Sequence, residues 1–308
     1  MASPVTEAEV VRVRVAGKVN LSLRSGRRRP DGYHSLSTVF QAVSLYDEVD
    51  ASWAPPGRFR VQVVGEQADQ VPTGDDNLAV RAARLLARTW GAGKPLGADL
   101  VIRKSIPVAG GMAGGSADAA GALLACAVLW DLDISPDELR TLGARLGADV
   151  PFCLAGGTAL GRGRGDELTS VLSRGTYHWV LAFSDGELST PAVFAKFDEL
   201  GLGSDHLDVP DGLLNALVSG DVQALGRSLV NDLEPAALAL RPQLSHLLEA
   251  GDDLGAVASM VSGSGPTVAF LAANEPAAVD LSVRLSSEGL CRAVKRVSGP
   301  VPGARLLV

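Results

Sequence analysis

Cysteine, histidine and long apolar runs are all scarce in this chain of 308 residues. Cys126, Cys153 and Cys291 stand far apart with no CxxC or other ligand spacing, which argues against a disulfide framework and a structural zinc site. The four histidines, His34, His178, His206 and His246, show no ligand spacing either. No apolar run reaches the roughly 18 residues needed to cross a bilayer. The longest, Ala119 to Trp130, has the length of a buried helix. The opening MASPVTEAEVVRVRV alternates charge with valine and has no signal-peptide apolar region. These absences predict a cytoplasmic protein with no membrane partner. A basic excess is missing too. The formal net charge of −7 argues against nucleic acid as a partner, because phosphate backbones favour proteins with a basic face. Any anionic ligand must be held locally. Internal repeats and signs of oligomeric state are also absent.

What is present is an ordinary globular composition, 46% hydrophobic, long enough for two compact lobes or one large domain. From Val11 to Leu23, valines and leucines alternate with Arg12, Arg14, Lys18, Asn20 and Ser22, which predicts a half-buried strand. ASWAPPGRFRVQVVG, GADLVIRKSIPV and TYHWVLAFS read as further strands, and GGTALGRGRGDELTSV as strand, turn and strand. DDNLAVRAARLLARTWG has helical spacing and stops at glycine. Ser135, Pro136 and Glu138 predict a capped helix ending near Gly147. STPAVFAKFDEL opens a short helix, Gly201 to Gly212 is a loop, and helices are expected around Leu213 to Leu233 and Pro242 to Ala250. AVASMVSGSGPTVAFLA reads as two strands around a glycine turn. Strands and helices mix without regular alternation, a pattern of α+β rather than doubly wound folds.

The segment SIPVAGGMAGGSADAAGALLA, starting at Ser105, carries the chemistry. Gly110, Gly111, Gly114 and Gly115 precede Ser116 and an alanine-rich helix. The first N–H groups of a helix have no internal partner, so such a loop can cradle phosphate, and glycine lets phosphate oxygens approach the backbone. The spacing is neither Walker A, which needs a lysine before Ser116, nor GxGxxG, which needs a glycine where Met112 stands. Taken alone, the segment is either an anion cradle or a glycine turn with a tightly packed helix behind it.

PVAGGMAGGSADAA resembles the PxxxGLGGGSSxAA signature of the GHMP kinases, departing from it at Met112, Ala113 and Ala117. AGKVNLSL followed by PDGYHSLSTVFQAVSLYDEV, LGADVPFCL and VSGSGPTVAF are similar, in order, to segments of the 4-diphosphocytidyl-2-C-methyl-D-erythritol kinase family. Only about Gly201 to Asp253 lacks a signature. The resemblance implies a two-lobed α+β kinase with its site in the cleft between lobes 1–157 and 158–308, the last strand returning to the first. It also implies ATP and magnesium, and phosphorylation of the 2-hydroxyl of 4-diphosphocytidyl-2-C-methyl-D-erythritol. The alternative is a GHMP kinase acting on homoserine, mevalonate or a sugar.

Carried onto this chain, the resemblance makes Asp149 the catalytic base and Lys18 its cationic partner. It assigns the phosphates to Pro107, Val108, Ala109, Gly110, Gly111, Met112, Ala113, Gly114, Gly115, Ser116 and Ala117, with Ser116 the candidate for touching magnesium. The other substrate falls to Asn20, Tyr33, His34, Thr190 and Phe194, with the cytosine between Tyr33 and Phe194. The chemistry suits these types: a carboxylate can accept the hydroxyl proton, cations stabilise the transferring oxygens, and aromatic faces stack on bases. Read without the resemblance, Asp149 could equally cap the turn before Pro151, and Arg27, Arg28 and Arg29 read as a solvated basic turn.

Overall fold

Two runs near the N-terminus pair into the longest hairpin of the molecule. In the computed structural model, which describes residues 10–307, strand β1 (Val10–Arg28) and strand β2 (His34–Trp53) lie antiparallel, joined across Asp31 and Gly32. Arg12 stands opposite Asp50, Lys18 opposite Ala42 and Arg28 opposite His34. The register shifts between Ala16 and Gly17, between Asn20 and Ser22, and between Ser25 and Arg28. Such irregularities bend a strand and re-aim its side chains. Two of them bracket Lys18 and Asn20. The half-buried strand expected here is corrected by the structure: Val15 to Leu23 is buried on both faces. The polar face is covered because the glycine loop packs on it, with the Lys18 N–H donating to the Met112 carbonyl at 3.3 Å.

Helix α1 (Leu78–Trp90) links β3 (Phe59–Gly65) to β4 (Ala98–Lys104), and the two strands pair in parallel beside β2. It starts at Asn77, whose side chain accepts from the N–H groups of Ala79 and Val80, and it stops before Gly91. Helix α2 (Gly114–Leu129) is buried along nearly its whole length between α1 and the hairpin. Its alanines permit this depth, since a bulkier side chain on every face would overpack the core. Helix α3 (Pro136–Ala144) has the predicted capping box of Ser135 and Glu138 but ends before Arg145, short of the expected Gly147. After α4 (Val150–Ala155), strands β5 (Thr158–Arg162) and β6 (Glu167–Ser170) form a hairpin on β2.

A second, four-stranded antiparallel sheet contains β7 (Tyr177–Phe183), β9 (Ala258–Val261), β10 (Thr267–Ala272) and β11 (Ala293–Gly299), in the order β11-β7-β10-β9. Its helices are α5 (Thr190–Glu199), α6 (Asp211–Ser219), α7 (Val222–Ser228), α8 (Glu234–Leu240), α9 (Gln243–Asp253) and α10 (Glu275–Glu288). Of these elements, α8, α10 and β11 had no clear sequence signal. The short strands β8 (Val230–Asn231) and β12 (Arg305–Leu306) both return to β1, the first parallel and the second antiparallel, completing an eight-stranded sheet.

Strand β7 shows how the layers join. Tyr177, Trp179, Leu181 and Phe183 point into the core of the first sheet, while Val180 and Ala182 point into a second core with Phe197, Leu244 and Phe270. Period-two alternation lets one strand serve two cores. The architecture is α+β, as the unordered mixture of elements predicted.

Candidate active site

The glycine loop runs from β4 to α2 with three residues at positive φ: Ala109 at 50°, Gly111 at 73° and Ala113 at 63°. At Gly111 glycine is obligatory, because a Cβ there would land on the Ser262 carbonyl oxygen of the second sheet's glycine turn. Ala113 has no such excuse. Each left-handed alanine costs roughly 1–2 kcal/mol. No side chain caps α2, and its first helical bond runs from the Ala117 N–H to Ala113 at 2.9 Å. The N–H groups of Gly114, Gly115 and Ser116 therefore open the helix toward a cleft of about 730 Å³.

That cleft is lined by Pro107, Ala109, Gly110, Gly111, Ala113, Gly114, Gly115 and Ser116 from the loop. Three other loop residues are not brought there. Met112 and Ala117 are fully buried in the core, and Val108 faces a smaller cavity behind the loop. A hydroxyl at position 117 would enter the core rather than the cleft.

Lys18, Asn20 and Asp149 meet in the same cleft. The Lys18 ammonium donates to Asn20 Oδ1 and to the Gly111 carbonyl, both at 2.7 Å, and Asn20 Nδ2 donates to Thr38 Oγ1 at 2.8 Å. Among the described residues Lys18 makes no ion pair. Burial pushes its ammonium below the ordinary lysine value, while the Asp149 charge works in the opposite direction. Asp149 sits at the start of α4, yet its side chain accepts no capping hydrogen bond. The capping role open to it from sequence is thus not filled, and the carboxylate is left to the cleft. Ser116 Oγ lies close to the turn leading into Asp149, 3.7 Å from where a Cβ at Gly147 would stand.

At the other end the cleft holds Tyr33, His34, Thr190 and Phe194. His34 stacks on Phe194 with ring centroids 4.6 Å apart, and its Nε2 lies 2.7 Å from Asp198 Oδ1. Tyr33 is half exposed with the Arg164 guanidinium 4.3 Å over its ring. Thr190 Oγ1 and Ser264 Oγ are 2.9 Å apart, tying α5 to the second glycine turn. Arg28 is exposed, as the solvated basic turn predicted, and it also lines the cleft, because β1 runs on to the cleft rim before the chain turns.

The chain is similar throughout to proteins of one kind. Residues 77–157 match the profile described as GHMP kinases N terminal domain, and residues 213–289 match GHMP kinases C terminal. A 4-diphosphocytidyl-2-C-methyl-D-erythritol kinase of Cutibacterium acnes is 52% identical, over 96% of this chain and 97% of its own length. Its counterpart in Mycolicibacterium gilvum is 54% identical, over 96% of this chain and 92% of its own length. The chain belongs to the 4-diphosphocytidyl-2-C-methyl-D-erythritol kinase family of GHMP kinases. The solved structure of a 4-(cytidine 5'-diphospho)-2C-methyl-D-erythritol kinase superposes on this kinase with a TM-score of 0.75 at 32% identity, covering 93% of this chain and 98% of that one. A homoserine kinase of Cytophaga hutchinsonii has the same fold, with a TM-score of 0.76 at 18% identity and full coverage of both chains.

Sequence reasoning missed several residues of the kinase that the fold brings to the cleft. Thr38 and Phe40 lie on β2 opposite the Lys18 region, and Arg164 and Asp198 come from distant segments. Helical spacing could have found Asp198, four residues after Phe194. A charge cluster beneath the loop was missed as well. Lys104 Nζ lies 2.5 Å from Asp47 Oδ2 and 2.9 Å from Asp118 Oδ2, with all three side chains buried. Burial pushes the Asp118 carboxyl up to about 7, with Lys104 pulling it down and Asp47 pushing it further up. Burial works to lower Lys104, but the two carboxylates outweigh it and the net shift is upward.

Proposed function

We propose that this kinase transfers the γ-phosphoryl group of ATP to the 2-hydroxyl of 4-diphosphocytidyl-2-C-methyl-D-erythritol, giving the 2-phosphate and ADP. One observation carries the reading: a single cleft contains an uncapped helix start, an unpaired buried ammonium, a carboxylate and an aromatic end. The N–H groups at Gly114 to Ser116 and the positive end of α2 suit the triphosphate. Lys18, held by Asn20 and the Gly111 carbonyl, stabilises charge on the transferring oxygens. Asp149 orients the hydroxyl and accepts its proton, which a loose transition state releases late. Tyr33 and Phe194 supply faces for the cytosine, His34 a polar edge, and Asn20 and Thr190 hydrogen-bonding groups.

Magnesium fits this site only as an ion that arrives on the phosphates. Among the described residues no group of three or more His, Cys, Asp or Glu side chains could hold a metal. Ser116 and Asp149 could complete the shell of an ion that keeps phosphate and water ligands, as magnesium prefers. When bound, it would neutralise phosphate charge. As part of this reading the protein works on small molecules in the cytoplasm. No helix among the described residues is long and apolar enough to cross a membrane.

The test is incubation with ATP, magnesium and the cytidyl substrate, followed by mass spectrometry, beside homoserine, mevalonate and a sugar panel. One phosphoryl group should appear on the cytidyl substrate alone. Faster transfer to a small alcohol would overturn the assignment, since such substrates leave the aromatic end of the cleft without a partner.

A further inference from the structure

The loop that faces the nucleotide is strained on its own, with Ala109 and Ala113 both left-handed. Such conformations persist only where the surroundings over-determine them. Lys18 from the cleft and Ser262 from the second sheet's glycine turn both donate to the Gly111 carbonyl, at 2.7 and 3.4 Å. From the core side, the restraint converges on a single lysine. Lys104 ends β4 just before the loop, and Asp118 lies in the second turn of α2 just after it. The Lys104 ammonium joins them through Asp118 Oδ2 at 2.9 Å. Asp47, on β2, accepts from Lys104 at 2.5 Å with one oxygen, and from the Ser105 and Ile106 N–H groups at 2.6 and 2.9 Å with the other. Gly114 leaves room for this arrangement: a Cβ there would stand 3.1 Å from Lys104 Nζ, so the ammonium would have to shift by a few tenths of an ångström.

We propose that Asp118, acting through Lys104 and Asp47, is a positioning residue for the nucleotide: the three side chains fasten both ends of the glycine loop to one buried point. The inference rests on the reading that the loop carries the phosphates of ATP. Two features distinguish this cluster from ordinary core packing. A buried ion cluster is weak support for stability, since apolar residues of the same volume often serve as well. Asp118 Oδ1 is also buried with no hydrogen-bond partner among the described residues, a cost that packing alone would not retain. What the cluster supplies is geometry. With β4 and α2 locked together, the N–H groups of Gly114, Gly115 and Ser116 keep a fixed distance from Lys18 across the cleft, and misplacement by about 1 Å can cost up to about 10²-fold in rate.

The experiment compares the parent with Asp118→Ala and Asp118→Asn, by calorimetric titration with ATP and by KM for each substrate. Asp118→Ala should weaken ATP binding about tenfold and raise the ATP KM in parallel, leaving the cytidyl-substrate KM within about twofold. Asp118→Asn keeps the volume and an acceptor for Lys104 but loses the charge, and should weaken ATP binding by a smaller factor, about threefold. If the alanine variant does not fold, the asparagine variant decides, through a measurable loss of ATP affinity at constant cytidyl KM. Equal ATP affinity in parent and folded variants overturns the clamp alone. Equal rises in both KM values also overturn it, since general loosening of the fold would do that. A parent that binds no ATP would overturn the functional reading and the clamp with it.

Discussion

Two buried lysines stand on opposite sides of the glycine loop, Lys18 facing the cleft and Lys104 facing the core. They are equally hidden, at 5% and 3% exposure, yet burial wins at the first and loses at the second. Lys104 has two carboxylates within 2.9 Å, so its charge is held above the ordinary value. Lys18 has an amide oxygen, a carbonyl and a more distant Asp149, so its charge is held below it. A charge neutralised by its neighbours organises structure. A charge kept desolvated and unpaired is ready to act on a substrate.

Removing each lysine would test that contrast. Lys18→Ala and Asp149→Asn should each lower kcat by about 10³-fold, the scale of losing an electrostatic or general-base contribution. Neither should alter the urea midpoint much, and a turnover near the parent's in either variant would break the contrast. Lys104→Met should act in the opposite sense, costing about 3–5 kcal/mol of stability because it strands two buried carboxylates. Urea denaturation reads that directly, and an unchanged midpoint would remove the structural role.

The pH profile sharpens the difference. In the proposed function Lys18 acts protonated, and burial lowers its pKa. The alkaline loss of kcat should therefore begin below the ordinary lysine range and not at it. An alkaline limb at the normal lysine value would mean that Lys18 is better solvated than its 5% exposure implies. The smallest expected change is at the loop itself. Ala113→Gly relieves a φ of 63° and should stabilise the protein by about 1 kcal/mol, within the range of left-handed strain. Destabilisation in that variant would show that the alanine methyl packs more favourably than its backbone is strained.

Lys18, Asn20 and Asp149 were singled out through the resemblance of their segments to the family's, whereas the glycine loop was legible from its own spacing. Helix α1 and the capping box at Ser135 were legible for the same reason: local hydrogen bonds set them. Burial of β1 on both faces was not, since its alternating pattern is that of a strand with one solvated face, and the glycine loop that covers it lies some 90 residues away. Arg28 and Asp198 escaped for a related reason. Arg28 stays exposed and Asp198 half-buried, and nothing local to a basic run or a helix says that a cleft opens beside it.

The sequence by itself determined the uncapped glycine start of α2, the alternation of the hairpin and the residue types available for phosphoryl transfer, because these follow from backbone chemistry within a few residues. Tertiary structure alone decided which of those groups share a cleft. It also decided that, among the described residues, Lys18 is buried without a carboxylate partner while Lys104 is buried with two. Desolvation and Coulomb attraction depend on neighbours in space, and the neighbours of these two lysines come from strands and helices far apart in the chain.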